Sequence, residues 1–274
     1  MSQLQVHLVQ MTSCDSLTQN IQHLKEVLTA LPRADRPTLV ALPENALFLR
    51  SDPNQNMLQI TVKDPVFDDL KHIAEKKNFF IHVGSAPILV EDRFTNASIL
   101  ISPAGNVQVS YEKLHLFDIQ LESGLSLRES DVFHHGILPK TFWISDWLIG
   151  QSICYDIRFS ELYNFYARIP VDAILIPSAF LVPTGQAHWH ILNRARAIES
   201  QCYIISAAQA GKHPSSSGKE RISFGYSLVV DPWGDILAEG SPDRPQVLSV
   251  TLDKSRIHQV RKQIPMHHHR RYHL

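Results

Sequence analysis

The chain has 274 residues, 44% of them hydrophobic, and a formal net charge of −1. That is enough apolar side chain for one large core or two small ones, and it leaves no broad field to steer a polyanion or an anionic bilayer. Nucleic acid and membrane are therefore disfavoured as partners, and small molecules are left. Cys14, Cys154 and Cys202 are an odd number without metal-like or disulfide-like spacing, which fits a reducing compartment. With no leader-like start and no membrane-length apolar run, the expected location is the cytoplasm.

Leu4, Val6 and Leu8 alternate with polar residues and predict a half-buried strand. Leu17, Ile21, Leu24, Leu28 and Leu31 then recur at helical spacing behind the potential caps Asp15 and Ser16, and residues 38–42 read as a short buried strand. Strand, helix and strand in this order predict parallel pairing. Glu44, in Leu42-Pro43-Glu44-Asn45, falls just past the carboxyl end of its strand, where α/β sheets gather their chemistry. Taken alone, an acid after a proline is an ordinary solvated loop residue.

Residues 50–56 are polar and turn-like, Val66, Leu70, Ile73 and Ala74 mark the next helix, and residues 79–83 read as a buried strand. Residues 95–101 and 107–111 flank Ser102-Pro103-Ala104-Gly105-Asn106, which predicts a β-hairpin with Lys113 at the end of its second arm. A lysine there is ordinarily a surface cation. Residues 120–136 read as an irregular loop carrying Glu129, and residues 141–153 as a hairpin breaking at Asp146-Trp147 whose second arm delivers Cys154.

Cys154 stands at a strand-to-helix corner, because Leu162, Phe165, Tyr166 and Ile169 recur at helical spacing behind it. A thiol there is partly freed from core packing and lies near the positive end of the next helix, which predicts a lowered pKa and a nucleophilic thiolate. Most unpaired cysteines are instead small core hydrophobes, the reading that suits Cys202. Residues 172–177 predict a buried strand, residues 178–185 a loop bordering the pocket, and His188-Trp189 the start of a helix on which Arg196 shares a face with Glu199 and Ser200. Residues 212–221, rich in Ser, Lys and Gly, read as mobile. Residues 222–230, 236–239 and 246–251 predict strands around the turn Asp231-Pro232-Trp233-Gly234-Asp235. Two rounds of strand, helix and strand with a terminal hairpin, over 4–112 and 141–251, predict pseudo-repeated halves. The tail contains His267-His268-His269, which are not spaced to meet one ion from a regular element, so no metal site is assigned.

The run Ile153-Cys154-Tyr155-Asp156-Ile157-Arg158-Phe159-Ser160-Glu161-Leu162 resembles the nucleophile motif of the nitrilase superfamily, the carbon–nitrogen hydrolases. Leu42-Pro43-Glu44-Asn45 is similar to the context of that family's base, and Tyr111-Glu112-Lys113-Leu114-His115-Leu116-Phe117-Asp118 resembles its lysine motif. Glu129, in Leu127-Arg128-Glu129-Ser130, matches a second glutamate of many members. The matches fall in the family's order, and the similarity runs from about residue 4 to the C-terminus. The resemblance implies a single domain over 1–274 and an α/β fold built as a four-layer αββα sandwich. It also implies a homodimer or homotetramer, with the tail from about 253 to 274 at a subunit interface, and neither a metal nor an organic cofactor.

The chemistry so implied is amide cleavage by a thiol. Glu44 takes the Cys154 proton, Lys113 and the backbone N–H of Tyr155 hold the oxyanion, and Glu129 holds Lys113 or orients the substrate. Substrate contact is assigned to Tyr155, Phe180 and Thr184, whereas Arg196 is structural in the family. Ser178-Ala179-Phe180, Thr184-Gly185, Ala187-His188-Trp189 and Gln201-Cys202-Tyr203 are most similar to the branch that hydrolyses the α-keto amide of deaminated glutathione, a metabolite repair. Hydrolysis of α-ketoglutaramate or of N-carbamoyl amides is the alternative, and a catalytically idle nitrilase-fold binding protein is a reading of another class. Ser160 departs from the family's usual proline. Asp146-Trp147, Phe133-His134-His135-Gly136 and Gln186 depart from the family near the pocket, which bears on substrate identity rather than mechanism.

Overall fold

The computed structural model describes residues 2–271 apart from 53–54, 91, 121–123 and 125. Parts of the expected turn at 50–56 and loop at 120–136, and Tyr272 and His273 of the tail, lie outside the described residues. The first half runs β1 (Gln3–Gln10), α1 (Leu17–Ala30), β2 (Thr38–Ala41), α2 (Asp68–Lys77), β3 (Phe80–Val90), β4 (Arg93–Ile101) and β5 (Val107–Glu112). A small hairpin, β6 (Asp118–Gln120) and β7 (Ser126–Arg128), leads to β8 (Thr141–Ile144), β9 (Trp147–Gln151), α3 (Ser160–Arg168) and β10 (Ala173–Leu175). Then come α4 (Val182–Ser200), β11 (Tyr203–Ser206), β12 (Ala210–His213), β13 (Arg221–Phe224), β14 (Leu228–Val230), β15 (Ile236–Glu239), β16 (Gln246–Asp253), α5 (Lys254–Gln263) and α6 (Met266–His269).

Two six-stranded sheets result, ordered β16-β1-β2-β3-β4-β5 and β15-β14-β11-β10-β9-β8. In the first, β1, β2 and β3 are parallel while β4 and β5 return antiparallel. In the second, β9, β10 and β11 are parallel while β14 and β15 return antiparallel. The predicted pseudo-repeat is therefore present strand for strand. β16 flanks β1 and β8 flanks β9, each antiparallel, so even the outermost strands correspond.

Strand alternation builds the layers, because successive side chains point to opposite faces. Leu4, Val6, Leu8, Leu39 and Ala41 meet Trp147, Ile149, Ala173, Leu175 and Ile205 in the core between the sheets. The opposite faces, with Val40 and Ile81 on one sheet and Ile174 and Ile204 on the other, pack against α1 and α2 through Leu24, Leu28, Leu70 and Ile73, and against α3 and α4 through Leu162, Tyr166, Trp189 and Ala197. This is the αββα sandwich. Each fully buried Leu or Ile contributes roughly 1.5–3 kcal/mol.

Several local expectations are corrected. The β8–β9 hairpin turns at Ser145-Asp146, with Ser145 at φ +53°, and Trp147 opens β9 and is fully buried. α4 begins at Val182 rather than His188, since Pro183 sits in its first turn, where a missing N–H costs nothing. Residues 222–230 divide into β13 and β14 because Gly225 and Tyr226 take positive φ. The described part of the loop at 120–136 contains β6, β7 and a 3-10 turn over Glu129–Asp131. Apart from these corrections, the tail is held by bonds to its own chain: Arg261 donates to the carbonyls of Gln201 (3.1 Å) and Val171 (2.6 Å), and Arg270 to Asn164 Oδ1 (2.7 Å) and the Glu199 carbonyl (2.9 Å).

β3 bulges between Val83 and Ala86, and Gly84 of that bulge is closely surrounded. A Cβ on Gly84 would lie 2.1 Å from the Leu42 carbonyl oxygen, 2.5 Å from that of Pro43 and 2.4 Å from the Pro177 Cβ. Only glycine fits there. Gly84→Ala is expected to destabilise the fold by about 3 kcal/mol, read as a lower denaturant midpoint, because the atoms that must give way are two backbone carbonyl oxygens and a proline ring carbon.

His82 lies fully buried between the sheets, 6.3 Å from the Phe142 ring centroid. Its ring nitrogens lack well-formed hydrogen bonds, and burial, weakly opposed by Gln151, lowers its pKa to about 4. Burial likewise lowers His213 to about 4. Both stay neutral when folded while the unfolded chain takes up protons below about pH 6.5, so stability falls as pH drops from 6.5 towards 4, by up to about 3 kcal/mol each. Urea midpoints measured across that window should decline, and His82→Leu should flatten the decline.

Candidate active site

Lys113 follows the last residue of β5 and is 2% exposed. Its strand end is pinned on both sides: Lys113 N donates to the Asn96 carbonyl (3.0 Å) and its carbonyl accepts from Gly136 N (2.8 Å). A buried ammonium is tolerated only if it is paired and hydrogen-bonded. Nζ lies 2.9 Å from Glu44 Oε1, 2.8 Å from Glu129 Oε2 and 3.1 Å from Glu129 Oε1. Burial by itself would lower its pKa, but the carboxylates of Glu129 and Glu44 outweigh burial and hold the amine well above the ordinary lysine range. It stays charged.

Glu44 is also buried, at 4% exposure, two residues past Leu42. Asn45 beside it adopts φ +57° and donates its N–H to Ser85 Oγ (3.0 Å), while the Glu44 carbonyl accepts from Gln209 Nε2 (2.9 Å) of the second half. Glu129 opens the 3-10 turn after β7 and accepts from Phe117 N (2.7 Å) and Asn96 Nδ2 (2.8 Å). The loop acid expected from sequence is thus fixed in place rather than solvated.

Cys154 follows β9 at φ +47°, a left-handed conformation that a non-glycine residue keeps only where the surroundings enforce it. Its N–H donates to the Pro177 carbonyl (2.9 Å), and Asp156 braces the corner by accepting from Ile153 N (2.8 Å). The fully buried Asp156 carboxylate also accepts from Tyr111 Oη (2.8 Å) and His115 N (2.9 Å) and pairs with His115 Nδ1 (2.7 Å). One carboxylate therefore ties the cysteine corner to the residues on either side of Lys113. The thiol sits against the Glu44 carboxylate and the Ala179 amide. Burial pushes its pKa well above the ordinary thiol range, Glu44 adds to this and Lys113 opposes it. The expected lowering by a helix end is corrected here: the following segment is a five-residue 3-10 turn, and burial outweighs it. The resting group is a thiol beside a base.

The structure brings Glu44, Lys113, Glu129 and Cys154 together from distant stretches of chain. Of the three residues expected to contact substrate, Tyr155 and Phe180 share the Arg158 guanidinium, 5.9 Å and 5.6 Å from their ring centroids. Thr184 lies in the first turn of α4, where its hydroxyl donates to the Leu181 carbonyl (3.2 Å). Arg196 is buried, donating to the Ile157 carbonyl (2.8 Å) and pairing with Glu199 (2.6 Å), as a structural residue would. A cavity of about 200 Å³ lined by Glu199, Gln201, Arg261, His267 and Arg270 lies under the tail and contains none of the four groups.

Asn96, Asp156, Arg158 and Gly84 were not singled out by the sequence reading. A buried asparagine in an apolar strand and an acid three residues after Ile153 were visible signals. The other two depend on what lies across the fold.

The profile of the family described as Carbon-nitrogen hydrolase matches residues 5–262. A deaminated glutathione amidase from Synechocystis sp. strain PCC 6803 is 34% identical over 267 residues, covering 96% of each chain. Saccharomyces cerevisiae Nit3, described as a member of branch 10 of the nitrilase superfamily, superposes with TM-score 0.81 at 29% identity, covering 97% of this chain and 95% of that one. The NitFhit protein of C. elegans superposes with TM-score 0.83 at 31% identity, covering 99% of this chain but 66% of that longer one. With a family match over almost its whole length and a fold of the same kind, this chain belongs to the carbon–nitrogen hydrolases of the nitrilase superfamily.

Proposed function

We propose that the chain is a thiol-dependent amidase that hydrolyses the terminal amide of a small α-keto acid amide, deaminated glutathione, to the acid and ammonia in a metabolite-repair role. The single observation that carries the chemistry is the buried Lys113 ammonium bonded at once to Glu44 and Glu129 beside the Cys154 thiol. The relatives named deaminated glutathione amidase, 31–34% identical, support the substrate. Arg158 also supports an acid-bearing substrate. It follows the nucleophile by four residues, has no carboxylate partner among the described residues, and offers a planar cation suited to a carboxylate.

In this reading Glu44 removes the Cys154 proton as sulfur attacks the amide carbon. Lys113 and the Tyr155 N–H, which as an early amide of its 3-10 turn needs an acceptor, hold the oxyanion. Glu44 returns the proton to the departing nitrogen, leaving a thioester. It then takes a proton from water, which attacks the thioester, releases the acid and restores the thiol. Glu129 keeps Lys113 aimed at the reacting oxygen. An idle scaffold has no physical use for this quartet, since burying an ammonium and two carboxylates costs several kcal/mol each before pairing offsets it.

We place the protein in the cytoplasm, consistent with three free cysteines, and as a homodimer or homotetramer. Self-association is supported by the exposed Ile191 and Ile198 on α4 and by Trp233 and Leu237 nearby in the β14–β15 region. Among the described residues no helix is long and apolar enough to cross a membrane.

Comparing purified protein on deaminated glutathione, α-ketoglutaramate and N-carbamoyl amino acids tests the reading, with the highest kcat/KM expected on the first. Cys154→Ala should release no ammonia, and equal release by it and the parent would overturn the enzyme reading. Glu44→Gln should lower kcat by at least about 100-fold while the protein stays folded, because Lys113 keeps Glu129 as its counterion.

A further inference from the structure

Asn96 lies within β4 at 2% exposure, in a run of otherwise apolar or small buried residues. Its side chain bridges both carboxylates of the cluster. Nδ2 donates to Glu129 Oε1 (2.8 Å) and, at a longer 3.4 Å, to Glu44 Oε1, while its main-chain carbonyl accepts from the Lys113 main-chain N–H (3.0 Å). Its Oδ1 is buried without a hydrogen-bond partner, so the amide faces the carboxylates as a donor, and the alternative flip would set oxygen against oxygen.

The division of donors between the two acids is unequal. Glu129 takes both Lys113 contacts to its two oxygens, the Phe117 amide and the short Asn96 bond. Glu44 takes one Lys113 contact and the long Asn96 bond, and it faces the thiol. Glu44, with fewer donors on its oxygens, keeps more of its accepting capacity free on the side that faces the thiol. Two carboxylates close to one ammonium share protons as a coupled unit unless something separates them.

We propose that Asn96 is a positioning residue that assigns the proton-accepting role to Glu44, by holding the Glu129 carboxylate against Lys113 and leaving Glu44 turned towards the thiol. It acts through the carboxylates and does not touch the reacting atoms. The inference rests on the amidase reading for its kinetic test alone, because the readiness of the Cys154 thiol to lose its proton is measurable without any amide.

Asn96→Leu, close in volume and without donors, is the main variant. On the amide substrate, kcat should fall about tenfold or more, a part of the roughly 100- to 10,000-fold that a positioned base supplies, with KM within about threefold. The acid limb of the kcat/KM profile should move to higher pH, because both carboxylates lose an N–H donor that favours their charged forms. The pH profile of Cys154 alkylation by iodoacetamide, with Cys154→Ala as the blank, should shift in the same direction. Asn96→Ser, whose hydroxyl can serve one carboxylate but not both, should give an intermediate shift, and it keeps the test open if the leucine variant does not fold. A fall in kcat with neither acid limb displaced would mark Asn96 as merely structural and overturn the proposal, as would unchanged kinetics. If the parent hydrolyses none of the three amide classes, the functional reading fails, while the alkylation profiles still decide the role of Asn96.

Discussion

A single ammonium, placed where water cannot reach it, organises this molecule. Lys113 is tolerated in the interior only because Glu44 and Glu129 are within hydrogen-bonding distance, and those acids are tolerated only because of the lysine. Removing Lys113 would strand two buried carboxylates, which is far more damaging than losing a surface ion pair, whereas removing either acid leaves the amine paired with the other. Much of the surrounding structure keeps this cluster assembled: Asn96 across both acids, the Phe117 amide on Glu129, Gln209 on the Glu44 backbone and Gly136 on the Lys113 carbonyl.

The topology explains how residues so far apart in sequence meet. Glu44 lies beyond the carboxyl end of β2 in one sheet, and Cys154 beyond that of β9 in the other. Parallel strands deliver both to the same end of the sandwich, where α/β sheets commonly place their sites. Gly84 lets the Leu42-Pro43 backbone and the Pro177 ring pack against it, and the Pro177 carbonyl in turn accepts the Cys154 N–H. Asp156 joins the nucleophile corner to Tyr111 and His115, so the thiol and the amine share one rigid frame.

Much of this was legible in the sequence. Period-two alternation in Leu4, Val6 and Leu8 and helical spacing in α1 and α3 state their own geometry, whereas Glu44, Lys113 and Cys154, each ordinary when taken alone, were legible through the resemblance of their flanking runs, in order, to one family. Glu129 was harder, because its flanks resemble any polar loop and its fixation comes from Phe117 and Asn96. Gly84 looks like any strand glycine until the opposing sheet is in view. The thiol was misjudged in sign, since local position pointed to a helix end whereas burial beside a carboxylate dominates. The residues missed are those whose role is set by neighbours distant in the chain.

The charge count of the cluster bears on turnover. Two acids against one amine leave a formal surplus of one negative charge inside a poorly solvated pocket. A neutral carboxamide enters without penalty from that surplus, but hydrolysis converts it into an anion at the same spot, where repulsion is strong because little water screens it. On the amidase reading, the imbalance that comes with keeping a base beside the thiol also expels what the reaction makes, so product inhibition is disfavoured by the same electrostatics.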